Sequence, residues 1–158
     1  MTRRLWMTAC LLAILLAPAA LQAADKPDYT GEWNLNAAKS DFGQMPAPEK
    51  LIMKIQQTGD EIKLTQTQSG PQGERTNDQS LIVNGQEQTR TTPRGEVKFT
   101  PKWDGDKLVV NQIMKIQDNE IKIKETWALG DDKKTLTITR DIDSPMGQMT
   151  MKTVLDKK

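Results

Sequence analysis

Three polar side chains interrupt the apolar face of the late strands: an amide, a carboxylate and a guanidinium. Between residues 107 and 143, apolar residues recur at every second position, and the exceptions within that series are Gln112, Glu125 and Arg140. The alternate positions are mostly Lys and Thr, so the apolar series should face the inside of a β structure. Because an unpaired buried charge costs several kcal/mol, the acid and the base should be paired or hydrated. Such a pair could anchor the polar end of a largely apolar ligand, or it could be an internal ion pair with no ligand.

The turns predict how these segments pair. A two-residue turn at 118–119 would place Gln112 opposite Glu125, and the turn after Gly130 would place Glu125 opposite Arg140. Counting outward by the same rule adds the two flanking strands. The predicted polar layer, in order across the wall, is Phe99, Gln112, Glu125, Arg140 and Met151.

Several large side chains share this inward face. Trp103 and Trp127 are inward by the same alternation, and they serve either as barrel core or as pocket wall. The predicted ligand-binding residues are Glu125, Arg140, Gln112, Trp103, Trp127, Phe99, Ile138 and Met151.

The composition excludes several classes of chemistry. The chain has no histidine and a single cysteine, Cys10, so Ser-His-Asp and Cys-His catalysis and imidazole-ligated zinc are impossible. An enzyme that uses carboxylates stays open as an alternative, but we expect no enzymatic activity and no cofactor. The run Met146, Met149 and Met151 could hold copper(I), although core filling is the simpler interpretation. We predict no metal site.

The first 23 residues are typical of a secretory signal peptide. Arg3 and Arg4 precede a short apolar run that ends before Pro18, and Ala23 offers a small-residue cleavage site. We therefore predict a signal peptide at 1–23, a single domain at 24–158, and a periplasmic or extracellular location without a membrane anchor. Removing the signal takes away both arginines, so 22 basic residues become 20 against 21 acidic ones. This balance argues against nucleic acid as a partner.

The remaining sequence alternates with period two between legible turns. Strands are predicted at 31–36, 50–58, 61–69, 75–83, 86–92, 96–103, 107–117, 120–129, 135–143 and 148–156. Asn84-Gly85 is the strongest of the hairpin turns, and residues 37–49 form a longer connection that could carry one helical turn. Short connections between successive strands predict an all-β, antiparallel up-and-down meander of about 8–10 strands, closed into a barrel. A two-sheet sandwich is the competing architecture.

Gly31-Glu32-Trp33 on the first strand resembles the G-x-W signature of lipocalins and their calycin relatives. Longer segments resemble a family of secreted bacterial lipocalin-like proteins: Thr30–Gly43, Ser69–Gly73, Lys102–Asp106 and Ser144–Gly147. The resemblance implies export and a lipocalin-like barrel that Trp33 closes at one end. It also implies that an arginine from a late strand packs across that tryptophan, a part that Arg140 could take.

These observations lead to two expectations about function. The first is an exported binding protein that holds a small, largely hydrophobic or amphipathic molecule inside a β-barrel. The second is an interaction or stress-response module with a solid core and no internal ligand. The volume enclosed by the barrel distinguishes the two, because a carrier needs hundreds of cubic ångströms and a solid core has almost none.

Overall fold

A computed structural model describes residues 26–71, 73–93, 95–116 and 119–158. The predicted signal peptide lies outside the described residues. Ten strands make up nearly all of the regular structure: β1 (Gly31–Leu35), β2 (Lys50–Thr58), β3 (Glu61–Gly70), β4 (Gly73–Ile82), β5 (Gln88–Thr92), β6 (Gly95–Asp104), β7 (Lys107–Ile116), β8 (Asn119–Leu129), β9 (Thr135–Ser144) and β10 (Gly147–Lys157).

Each of the ten predicted strands is confirmed, with ends that differ by two residues at most. The helical turn expected in the long connection is a 3₁₀ helix, Ala37–Lys39, whose first turn is capped by the Asn36 side chain. Among the described residues, no helix has the length and apolar character needed to cross a membrane.

The ten strands form one antiparallel sheet that curls round on itself. Consecutive strands pair antiparallel except β4 and β5, and β1 also pairs with β10, so the hydrogen-bonded order is β4-β3-β2-β1-β10-β9-β8-β7-β6-β5. The meander and its ten strands are therefore as predicted. The order ends at β4 and β5, and we call the line along which these two strands face each other the β4–β5 seam.

A side chain bridges one end of the β4–β5 seam. The Gln88 amide donates to the Ile82 carbonyl oxygen at 2.6 Å and accepts from the Ile82 N–H at 3.1 Å. The Gln88 side chain thus pairs with the backbone N–H and carbonyl oxygen of Ile82, the two groups that a neighbouring strand would otherwise bind. The connection between the strands adds one backbone bond, from the Gly85 N–H to the Pro101 carbonyl oxygen at 2.9 Å.

The barrel interior has two different halves. The half near the turns at 58–61, 104–107 and 129–135 holds a cluster of buried apolar side chains, and we call it the closed end. Its fully buried side chains include Trp33, Trp127, Ile62, Leu108, Leu136 and Leu155. The opposite half, the open end, lies near the turns at 70–73, 92–95, 116–119 and 144–147. Inward-facing Ile123, Ile142 and Met149 there are only half-buried.

The chain that precedes β1 seals the closed end. Tyr29 is fully buried, its hydroxyl donates to the Trp127 carbonyl oxygen at 3.0 Å, and its own carbonyl accepts from Trp33 Nε1 at 2.8 Å. Its ring stacks on Trp103 at 6.2 Å between centroids and meets Trp127 edge-on at 5.6 Å. Trp33 thus lies in the closed end, as expected, and Tyr29 connects it to the strand that carries Trp127.

Candidate functional site

Glu125 and Arg140 face each other on the inner wall, as predicted. They are directly opposite residues of β8 and β9, and Arg140 Nε donates to Glu125 Oε2 at 2.5 Å. Trp127 Nε1 donates to the other carboxylate oxygen at 2.5 Å. The Glu125 side chain is 8% exposed and that of Arg140 36%. Both oxygens of a nearly buried carboxylate are thus used by donors of the wall, which fixes its position.

The predicted position of Gln112 in this layer is wrong. Gln112 lies opposite Ile123, two residues away from the expected partner Glu125. The cause is the β7–β8 hairpin, which pairs Ile116 with Asn119 and therefore turns one residue earlier than predicted. A slip of two residues leaves every side chain on its original face, so the alternating pattern cannot detect it. Met151 is opposite Arg140, as predicted. Phe99 is opposite Gln112, also as predicted, and is therefore displaced from the level of Glu125 together with it.

An arginine that the sequence analysis did not single out completes the polar cluster. Arg90, on β5, donates from Nη2 to Gln112 Oε1 at 3.2 Å, and its guanidinium carbon lies 5.3 Å from the Phe99 ring centroid. Its Nη1 is buried and has no hydrogen-bond partner within the part of the chain that the structure describes. One signal in the sequence could have identified it. The β5–β6 turn places Arg90 directly opposite the inward residue Val97, and directly opposite residues share a face, so Arg90 should also point inward.

We call Arg90, Gln112, Glu125 and Arg140 the polar cluster. The negative charge of Glu125 raises the pKa of Arg140 above its ordinary value, against the opposing effect of burial. Burial lowers the pKa of Arg90; the charge of Glu125 opposes that shift and the charge of Arg140 adds to it. Arginine stays protonated at any physiological pH, so the cluster holds two positive charges and one negative charge.

The predicted aromatic and apolar members lie mostly in the closed end. Trp127 joins the polar cluster through Glu125, while Ile138 is buried opposite Trp127. Trp103 is farther from the cluster: it stacks on Tyr29, and its Nε1 donates to Asp60 at 3.3 Å. The predicted set therefore divides into a polar part in the middle of the barrel and a packed part beneath it.

The cation over Trp33 differs from the expectation. Lys157 Nζ lies 5.2 Å from the Trp33 ring centroid, on the strand that pairs with β1. Arg140 instead forms the ion pair with Glu125. The part that the family resemblance implied for Arg140 therefore falls to Lys157.

Two grooves reach the barrel wall near the polar cluster. One, of about 440 Å³, follows the β4–β5 seam and is lined by Asp78, Gln79, Ser80, Ile82, Gln88, Thr89, Arg90 and Phe99. The other, of about 530 Å³, lies along β7–β10; its lining includes the inward residues Gln112, Ile123, Ile142 and Met149 together with outward side chains of the same strands. In the described residues, no three acidic side chains converge as metal ligands would.

No protein-family model and no curated protein matches this chain. Solved structures do match its fold. A fatty acid-binding protein from Drosophila melanogaster brain tissue is 20% identical, with a TM-score of 0.58, and the match covers 82% of this chain and 99% of the other. Zebrafish ileal bile acid-binding protein, complexed with cholic acid, is 22% identical, with a TM-score of 0.56 and coverages of 82% and 98%.

A third similar structure is a secretory abundant heat soluble protein from Ramazzottius varieornatus. It is 19% identical, with a TM-score of 0.59, and the match covers 82% of this chain and 95% of that one. At these identities the likeness concerns the fold alone. Ten antiparallel strands in one curled meander, closed by a tryptophan at one end, give this chain the calycin-type β-barrel fold.

Proposed function

We propose that this chain is a non-enzymatic binding protein that holds a small, largely apolar molecule inside its barrel. One observation carries the proposal: a fixed polar cluster lies in the middle of an otherwise apolar inner wall. Ligand sites are typically apolar cavities in which a few well-placed polar groups set orientation. The fatty acid-binding and bile acid-binding proteins with the same fold support the same reading.

The two halves of the interior would have different roles. The closed end is packed with aromatic and aliphatic side chains and would form only the floor of the binding site. The open end has half-buried inward side chains, including Ile123, Ile142 and Met149, which would contact the apolar part of the molecule. The polar cluster lies between the halves, where Arg140 still exposes about a third of its side chain and could meet a polar end.

A pair of matched substitutions tests this proposal. Ile142→Trp places a large ring inside the open end, and Lys102→Trp places the same ring on the exposed outer face of β6, away from both grooves. We expect a fluorescent fatty-acid probe to bind the unmodified protein with saturation and the Lys102 variant with similar affinity. The Ile142 variant should lose at least tenfold in affinity. Absence of probe uptake by the unmodified protein, together with no small molecule retained in native mass spectrometry, would overturn the proposal.

We also propose that the protein is exported and cleaved after Ala23. The basic start, the apolar run and the small residues before position 24 support this. Intact-mass measurement of protein recovered from the periplasm or medium should give a chain that begins at Ala24. A chain that retains Met1 and stays in the cytoplasmic fraction would contradict export.

A second candidate is a solid-core interaction or stress-response module. The fully packed closed end favours it, and a secretory abundant heat soluble protein is among the structures with the same fold. This candidate predicts that no probe binds either the unmodified protein or the Ile142→Trp variant, because a solid core leaves no space for a ligand. Probe binding that Ile142→Trp removes would decide for the carrier.

A further inference from the structure

We infer that Arg90 selects the ligand: it binds an acidic group, such as a carboxylate or a phosphate, that points towards the β4–β5 seam. The inference rests on the proposed function and adds the chemical class and the orientation of the bound molecule. The apolar part would then extend from the seam past Phe99 towards the open end.

The hydrogen bonding of Arg90 is incomplete. Its Nη2 donates a hydrogen bond to Gln112, and its guanidinium group lies over the Phe99 ring. Its Nη1, however, is buried and has no hydrogen-bond acceptor in the described residues. A buried donor normally has a partner, and an unpaired one at a charged group calls for an explanation. An acceptor brought by a ligand would supply the missing partner.

The carboxylate of the polar cluster is not available for this task. Glu125 already accepts from Arg140 on one oxygen and from Trp127 on the other. Among the residues that the structure describes, the cluster thus contains one arginine paired with a carboxylate, Arg140, and one without such a pair, Arg90. An anion would balance the charge of Arg90 and hydrogen bond to Nη1, since guanidinium binds carboxylate and phosphate oxygens especially well. A neutral alcohol would leave the charge unbalanced, and a cationic group would be repelled.

The β4–β5 seam brings solvent to this arginine. The groove of about 440 Å³ is lined by Arg90 and Phe99 from the interior and by Ser80, Thr89 and Asp78 along the seam. Gln88 bridges the two strands beside Ile82, so the groove is bounded at that point by a hydrogen-bonded side chain. An acidic group at Arg90 would keep part of its hydration while the apolar chain is buried.

Two ligands with the same alkyl chain test the inference: decanoate and decan-1-ol, at a pH where the carboxylate is ionised. We expect the unmodified protein to bind decanoate at least tenfold more tightly than the alcohol. Arg90→Gln should lower the affinity for decanoate to near that for the alcohol, without weakening the alcohol. Lys98→Gln, which removes a positive charge from the outer face of the neighbouring strand, should leave the ratio unchanged.

The outcomes separate the two proposals. Equal affinities for decanoate and decan-1-ol in the unmodified protein would overturn the role of Arg90 and leave the carrier function standing. Failure of both ligands to bind would remove the carrier function itself. The comparison within the unmodified protein depends on no variant, and Arg90→Lys, which keeps the charge, should retain part of the preference if Arg90→Gln does not fold. A phosphate monoester of decanol in the same assay distinguishes a carboxylate ligand from a phosphate ligand.

Discussion

Replacing Tyr29 with Phe should change how stability depends on alkaline pH. Tyr29 is fully buried, and burial raises the pKa of its hydroxyl to about 12 from an ordinary value of 10.0; the charge of Asp106 adds to that shift, and a hydrogen bond with the Leu108 backbone opposes it. The unfolded chain therefore loses this proton at lower pH than the folded one. The stability that neutral Tyr29 confers is complete below about pH 10 and is lost as the pH rises through 12.

The size of the effect follows from that difference in pKa. A shift of about two units corresponds to roughly 2.7 kcal/mol in full, of which about 1.4 kcal/mol should be lost by pH 11. At neutral pH, Tyr29→Phe removes the bond to the Trp127 carbonyl oxygen and should cost about 1 kcal/mol. The two forms should therefore become equally stable near pH 11, and above that pH the variant should be the more stable.

Urea unfolding followed by tryptophan fluorescence, repeated from about pH 7 to about pH 11, measures this directly. Titration of the lysines affects both forms alike and cancels in the difference. Tyr29 is also the sole tyrosine of the chain, so the near-ultraviolet absorbance of tyrosinate reports its pKa without interference. If both forms lose stability in parallel, or if Tyr29 ionises near its ordinary pKa, the description of a sealed closed end is wrong.

Three further outcomes follow from the same contacts. Glu125→Gln and Arg140→Gln, combined in a double-mutant cycle, should show a coupling of about 1 to 2 kcal/mol in the free energy of unfolding, held to that range by the partial exposure of Arg140; additive effects would mean that the pair does not interact. Gln88→Ala should accelerate hydrogen exchange at the Ile82 amide and cost about 1 kcal/mol of stability, whereas Gln56→Ala on the exposed face of β2 should do neither. Trp33→Phe removes the bond to the Tyr29 carbonyl and opens space in the closed end, so thermal unfolding should show a loss of about 2 to 3 kcal/mol.

The sequence was most informative where local chemistry repeats. Turns such as Asn84-Gly85 and Gly105 between aspartates mark strand ends, and alternation between them marks faces, so the strands were predicted to within two residues. The opposition of Glu125 and Arg140 followed from the same two signals. Each of these features depends on residues close together in the chain.

The errors occurred where two arrangements keep the same pattern. The observed register of the β7–β8 hairpin differs from the predicted one by two residues. This difference separates Gln112 from Glu125 but leaves every apolar side chain on its predicted face. Arg90 lies on β5, a short polar strand where alternation carries little information, and its contact with Gln112 on β7 crosses the intervening strand β6. Lys157 over Trp33 depends on the pairing of the first strand with the last, which no local turn encodes.

Methyl NMR during a titration with decanoate tests the central claim, that the amphipathic interior of the open end is a binding site. The methyl groups of Ile123, Ile142 and Met149 face inward, whereas that of Met45 is exposed in the connection before β2 and lines neither groove, so each sample contains its own control. The account predicts saturable one-to-one shifts at the three inward residues and none at Met45. A shift confined to Met45, or no shifts anywhere, would contradict it.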